Sequence, residues 1–253
     1  VPRLQDLRSG TWSTVAADGS TMRILTPSTK AEFDQVDGFS PDYFWPCQEA
    51  SGNLASTIGS LTLTAAGAGA HLYQQAITSW TRKAVGSTAD ADVCAWRDTA
   101  AAANVLDPTA GSVAWSAVLS LLSNPAANRI VWTMAATAPN LLVSVTTTGK
   151  LRLTCNAVNA DSLATFTGIG PFYAVVEYNK TTGVCKLWTP LEVVTVTYAA
   201  TASNSNKGIG NVSGVGTGIY RFLSVAGYQA HNAERDWYNV VKGRGWPMAY
   251  AHP

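Results

Sequence analysis

Two apolar runs decide how this chain is read: Phe172-Tyr173-Ala174-Val175-Val176-Glu177-Tyr178 and Val184-Cys185-Lys186-Leu187-Trp188-Thr189, separated by Asn179-Lys180-Thr181-Thr182-Gly183. Aromatic and β-branched side chains fit a pleated, half-buried surface. Gly183 can supply the positive φ that a longer hairpin loop needs. The stretch therefore predicts an antiparallel hairpin.

The same pattern recurs on both sides. Leu141, Val143 and Val145 share one face, Thr148-Gly149 turns the chain, and Leu151, Leu153 and Cys155 share one face on the way back, a second hairpin by period-two logic. Val113–Leu119 and Ile130–Met134 read as strands joined across Asn124-Pro125, and Val194, Val196 and Tyr198 alternate with threonines before a last strand at Tyr220–Ala226. Upstream, Tyr43-Phe44-Trp45 runs into the turn Glu49-Ala50-Ser51-Gly52, and Leu61 and Leu63 precede a Gly/Ala-rich stretch at 65–70. Short strands at such spacing, with no alternating helices, predict an all-β sandwich of antiparallel sheets. One segment has a helical period: Ala233, Trp237, Val240 and Val241, with Asn232 placed to cap its start and Gly243 to end it. A short C-terminal helix is expected there.

Residues 1–40 differ from the rest. Arg3, Asp6, Arg8, Asp18, Arg23, Lys30, Glu32, Asp34 and Asp37 crowd a stretch of weak apolar periodicity. This predicts an N-terminal arm or docking segment with one short strand near Met22–Leu25, against the plainer reading of a first strand and loop. Residues 41–253 form the main domain. The opening Val1-Pro2-Arg3-Leu4 is neither an initiator Met nor a signal peptide, so a processed chain or a piece of a longer product is expected.

Composition narrows the function classes. Charged residues make up 13% of the chain, about half the roughly 25% of an average domain, so Ser, Thr, Asn and Gly must carry the solvation. A net charge of +1 with no basic stripe gives nucleic acid little to hold. The longest apolar run, Val113 to Leu122, is broken by Ser116 and Ser120 and falls short of the roughly 18 residues a bilayer span needs. Cys47, Cys94, Cys155 and Cys185 lack metal-site spacing. They read as buried free thiols, or as a single disulfide in an oxidising compartment.

Three stretches resemble laminin-G-like, concanavalin A-like domains. Tyr43-Phe44-Trp45-Pro46-Cys47-Gln48-Glu49-Ala50-Ser51-Gly52 is similar to the family's opening motif. Ala174–Tyr178 turning into Cys185-Lys186-Leu187-Trp188 is similar to its central hairpin. Phe222-Leu223-Ser224-Val225-Ala226, followed by the expected helix and Gly243-Arg244-Gly245, resembles its closing strand and terminal helix. The resemblance covers about residues 42–246. It departs at Gln48, where the family has an aspartate, and at Thr189-Pro190-Leu191, where an Asp-Gly turn is expected. It implies a two-sheet jelly roll whose rim or concave face binds sugars or protein partners, sometimes with calcium.

No stretch carries a catalytic pattern. Hydrolases of this fold need two carboxylates on one strand face, and the nearest approach, Glu32-Phe33-Asp34-Gln35-Val36-Asp37, lies in the polar arm. Gln229-Ala230-His231 echoes a lyase element without its Tyr/Lys strand, and His71 and His252 are isolated. Gly67, Gly69 and the glycines at 208–218 open no helix and read as loops. The densest acidic stretch, Asp90, Asp92, Asp98, Asn104 and Asp107, reads as one long rim loop. A hard cation such as calcium would need those oxygens to converge, and no metal ligand set is assigned. Trp96 in that loop either stacks on a sugar or folds onto the sheet edge, whereas Trp115, Trp132 and Trp188 are expected in the core. The sequons Asn179-Lys180-Thr181 and Asn211-Val212-Ser213 matter only in a glycosylating pathway.

The expectation is a non-catalytic surface module without cofactor. It binds a glycan or a protein, or decorates a large assembly such as a virion or cell-surface layer, as a homo-oligomer or assembly part docked through its arm. It would sit outside the cell or on the particle surface. The alternative is a carbohydrate-active hydrolase or lyase on the same fold, for which Glu177 and Glu192 are the carboxylates to test.

Overall fold

A computed structural model describes residues 3–5, 12–14, 40–75, 83–87, 93–98, 106–108, 110–135, 141–156, 158–197, 207–210 and 220–229, with single positions such as 33, 90 and 237 between them. The described chain is all-β, two antiparallel sheets stacked as a sandwich of the jelly-roll kind. Strands are numbered in chain order. The larger sheet runs β15 (Val193–Thr197), β14 (Val184–Trp188), β13 (Phe172–Asn179), β8 (Val113–Leu121), β17 (Tyr220–Tyr228), β6 (Lys83–Ser87) and β5 (His71–Gln75), with β3 (Tyr43–Trp45) also paired to β17. The smaller runs β12 (Val158–Thr165), β11 (Lys150–Cys155), β10 (Leu141–Val145), β9 (Arg129–Ala135), β16 (Gly208–Gly210), β7 (Ala95–Arg97) and β4 (Thr64–Ala66). A separate pair joins β1 (Arg3–Gln5) to β2 (Trp12–Thr14).

Both expected hairpins form. Val175 faces Trp188 and Asn179 faces Val184 across β13–β14, with Gly183 at φ 70° closing the turn. Leu141 faces Cys155 and Val145 faces Leu151 across β10–β11. The strands expected at 113–119 and 130–134 exist, but β8 and β9 lie in opposite sheets, so their link crosses the sandwich. Three strands run against the sequence reading. Gly208–Gly210 and Trp96 belong to β16 and β7, not to loops. Val158–Thr165 is an edge strand whose polar composition hid it. The Met22–Leu25 strand and the helix around Ala233–Gly243 lie outside the described residues, save that Trp237 is buried edge-on against Tyr228 at 5.2 Å.

The interior between the sheets is aromatic. Trp45 stacks on Trp115 with ring centroids 5.5 Å apart and planes 8° from parallel, and its Nε1–H donates to Leu61 O at 2.8 Å. Trp132 of the smaller sheet meets Phe222 of the larger one edge-on at 6.2 Å. Such ring pairs add about 0.5–1.5 kcal/mol beyond the area they bury. The expected core placement of Trp115 and Trp132 holds, and all four cysteines are free and buried. A second apolar cluster lies on the outward face of the larger sheet, where Phe33 and Trp237 cover Phe44, Ala114, Val118, Tyr173, Val175 and Ala226. No helix among the described residues is long and apolar enough to cross a membrane.

Replacing Trp115 by Ala removes one member of the stacked pair from a site that cannot collapse around the gap. The expected cost is about 3–5 kcal/mol, read as a lowered urea midpoint with an unchanged slope.

Candidate functional site

The hairpin that decides the fold also builds the site. In β13–β15, side chains alternate between the two faces. Val176, Tyr178, Cys185, Leu187, Val194 and Val196 enter the core between the sheets. The other set faces outward in cross-strand rows: Asn179 beside Val184 and Thr197, Glu177 beside Lys186 and Thr195, Val175 beside Trp188 and Val193. These rows are open, for Thr195, Thr197 and Val193 are exposed and Val184, Lys186 and Trp188 are half-buried.

Glu177, Asn179, Thr182, Val184 and Lys186 line a cavity of about 110 Å³ in this face. Glu177 is 4% exposed, and its Oε2 accepts a bond from Trp188 Nε1 at 3.1 Å. Lys186 Nζ sits 5.3 Å from the centre of the Trp188 ring, within the range of a cation–π contact. Asn179 Oδ1 accepts from the backbone N–H groups of Thr181 and Thr182 at 3.0 and 3.2 Å, which fixes the loop at the rim of the cavity. The Asn179 side chain is therefore a buried turn element, and the Asn211 sequon lies outside the described residues. An indole held by a carboxylate and flanked by an ammonium offers an apolar face, a charged donor and a second carboxylate oxygen to one ligand.

Several sequence candidates are placed elsewhere. Trp188, expected in the core, is half-buried at the open face. The signal was available, because Val184, Lys186 and Trp188 alternate with Cys185 and Leu187, and a lysine on the same face as an indole marks that face as wet. Trp96 takes the opposite correction. It is fully buried, donates to Gly52 O at 3.1 Å and Tyr73 Oη at 3.2 Å, and meets His71 edge-on at 4.8 Å, so no sugar can stack on it. His71 Nε2 in turn bonds Ala95 O at 3.1 Å.

The acidic stretch does not converge. Asp90 pairs with Arg129 at 2.8 Å, and Asp98 pairs with Lys207 at 3.0 Å, both fully enclosed. Asp92 and Asn104 lie outside the described residues, and among those described no three His, Cys, Asp or Glu side chains gather as a metal set. Of the arm hexapeptide only Phe33 is described, buried 5.0 Å from Phe44. His231 and His252 are outside the described residues. Glu192 is occupied structurally, its two carboxylate oxygens accepting from the N–H groups of Leu163 and Ala164 at 2.8 and 2.7 Å. Cys185 shares a hydrogen bond with Cys155, which with burial raises its pKa and keeps the thiol protonated.

No protein-family model and no curated protein sequence matches the chain. Solved structures do match in fold. Trypanosoma rangeli sialidase in complex with sialic acid aligns with a TM-score of 0.57 at 8% identity, over 90% of this chain and 35% of that one. The botulinum neurotoxin serotype D binding domain aligns at 0.53 and 12% identity, over 81% of this chain and 52% of that one. A botulinum neurotoxin type C structure, described by its interaction with two ganglioside molecules, aligns at 0.50 and 10% identity, over 83% and 52%. The chain thus spans about a third of the length of the sialidase. At such identities the likeness is one of fold alone, a two-sheet β-sandwich, and it does not single out the laminin-G or concanavalin A-like family. It also corrects the expectation that the chain is not an enzyme. The same sandwich occurs within chains of a sialidase, so a missing sequence motif does not exclude catalysis.

Arg129 holds the Asp90 carboxyl below the usual carboxylate range, chiefly by hydrogen bonding, against the upward pull of partial burial. A folded-state pKa below the unfolded one gives stability that is complete above the unfolded value, about 3.9, and is lost as pH falls through the folded value. Asp90→Asn should therefore cost about 1 kcal/mol at neutral pH. Urea titrations of the two proteins should begin to converge as pH falls below about 4 and meet only once it has passed below the lowered folded-state value.

Proposed function

We propose that this chain is a glycan-recognition module that lays a sugar across the outward face of β13–β15. Trp188 carries the reading: a half-buried indole on an open sheet face, its N–H tied to Glu177 and its ring flanked by Lys186. An indole so fixed offers a flat apolar surface to the C–H face of a pyranose, while the ammonium and the carboxylate bond to hydroxyl groups. The 110 Å³ cavity is well below the roughly 300–1,000 Å³ of sites that engulf a ligand. It suits one substituent or ring edge, with the remainder of the sugar on the shelf of Trp188 and Val193. The sialic acid and ganglioside ligands named for the similar structures support a sugar as the ligand class. On this reading the module works outside the cell or on a particle surface such as a virion, as a unit of a larger assembly attached through its N-terminal arm.

A glycan array followed by calorimetry on the best ligand tests this. Trp188→Ala should weaken binding about tenfold or more in a protein that still folds but melts lower, because the indole packs on the outer apolar cluster and donates to Glu177. Binding that is indifferent to Trp188 would remove the assignment. Reducing-sugar release that disappears in Glu177→Gln would recast the same cleft as hydrolytic. Deleting residues 1–29, which leaves Phe33 on the core, should abolish incorporation into the assembly and spare glycan binding.

A further inference from the structure

The described arginines differ in how their charge is met. Arg129 is bound by Asp90 and Arg152 by Asp161, and Arg221 donates to the carbonyl oxygens of Ser87 and Tyr220. Arg97 has neither an ion-pair nor a hydrogen-bond partner among the described residues, although its Nε is buried. The carboxylate next to it in sequence, Asp98, is taken by Lys207. Burying a guanidinium N–H without an acceptor is costly.

A second orphan lies in the same row. Thr133 Oγ1 is fully buried with no partner among the described residues. Gly208 of β16 pairs with Arg97 on one side and with Thr133 on the other. Ile209, Trp96 and Trp132, the neighbours in the next row, enter the core, so Arg97 and Thr133 point out of the opposite face of the smaller sheet. Two strand spacings separate their backbones, about 10 Å. Between them β16 has no side chain at Gly208, where a Cβ would meet Trp96 O at 2.1 Å and φ is 156°. Gly208 and Thr133 are buried and Arg97 is half-buried, so across a position without a side chain the row sets an unpartnered hydroxyl against a guanidinium whose Nε is unpartnered among the described residues.

We propose that Arg97 and Thr133 bind an oxyanion across Gly208, a carboxylate or sulfate group carried by an acidic ligand. A guanidinium presents paired N–H donors that match such a group, and the hydroxyl supplies a third. This site is on the opposite sheet from the Trp188 shelf and does not depend on that shelf binding sugar.

The Nε–H resonances of the ¹⁵N-labelled full-length chain provide the test, titrated with sodium acetate and with sodium sulfate against sodium chloride at equal ionic strength. The Arg97 signal, identified by its absence from Arg97→Lys, should shift saturably with an oxyanion and not with chloride. The signals of Arg129 and Arg152 should hold still. Tighter binding of acetate assigns a carboxylate-bearing ligand, and tighter binding of sulfate a sulfated one. Thr133→Val should weaken the anion about tenfold and raise the anion-free thermal midpoint, because it deletes a hydroxyl that has no partner in the empty site. An Arg97 signal that ignores both oxyanions, or follows chloride equally, overturns the proposal. So does a Thr133→Val protein that melts lower without anion, since that would reveal a protein partner for the hydroxyl.

Discussion

Three strands, β8, β13 and β17, form the middle of the larger sheet with almost every residue buried. A strand has two faces, and a sandwich covers only one of them. Burial on both demands a further layer, of which Phe33 and Trp237 are described members. Under them the sheet is closed; beyond them, over β14 and β15, the pattern becomes strict alternation with exposed threonines. The Trp188 shelf is the place where the extra layer stops.

That distinction explains what could be read from the sequence. Hairpins such as β10–β11 and β13–β14 were legible because local turn chemistry and alternation agree. The full burial of Val113–Leu121 was legible as a strand but not as a doubly covered one, since a continuous apolar run does not say what lies on its second face. β16 was illegible for another reason: the two glycines leave Gly-Ile-Gly with one β-forming residue, and β7 and β9 on either side hold it as a strand. Trp96 and Trp188 were misassigned in opposite directions. The surroundings of Trp96 come from distant segments, Gly52 and Tyr73, whereas Trp188 takes its place from its own hairpin, where Lys186 and Glu177 share its face.

The low charge content acquires a meaning in three dimensions. Asp90, Asp98 and Asp161 are each neutralised by a cation, and Glu192 by two backbone N–H groups. The enclosed Lys207–Asp98 pair ties β7 to the start of β16, where Asp98 N also donates to Lys207 O at 2.9 Å. Its worth lies less in net stability than in the penalty for separating its members. Among the described residues these four acidic side chains are therefore committed to structural contacts.

The clasp of Glu192 on β12 bears on how the protein survives at high concentration. β12 borders its sheet, and Leu163 on it is 86% exposed, a combination that invites a stranger strand to add on. By occupying two adjacent amides of that border, the carboxylate withdraws the donors an incoming chain would need. A neighbour molecule therefore finds grease without a ladder to climb, and stacking into fibres loses its first rung.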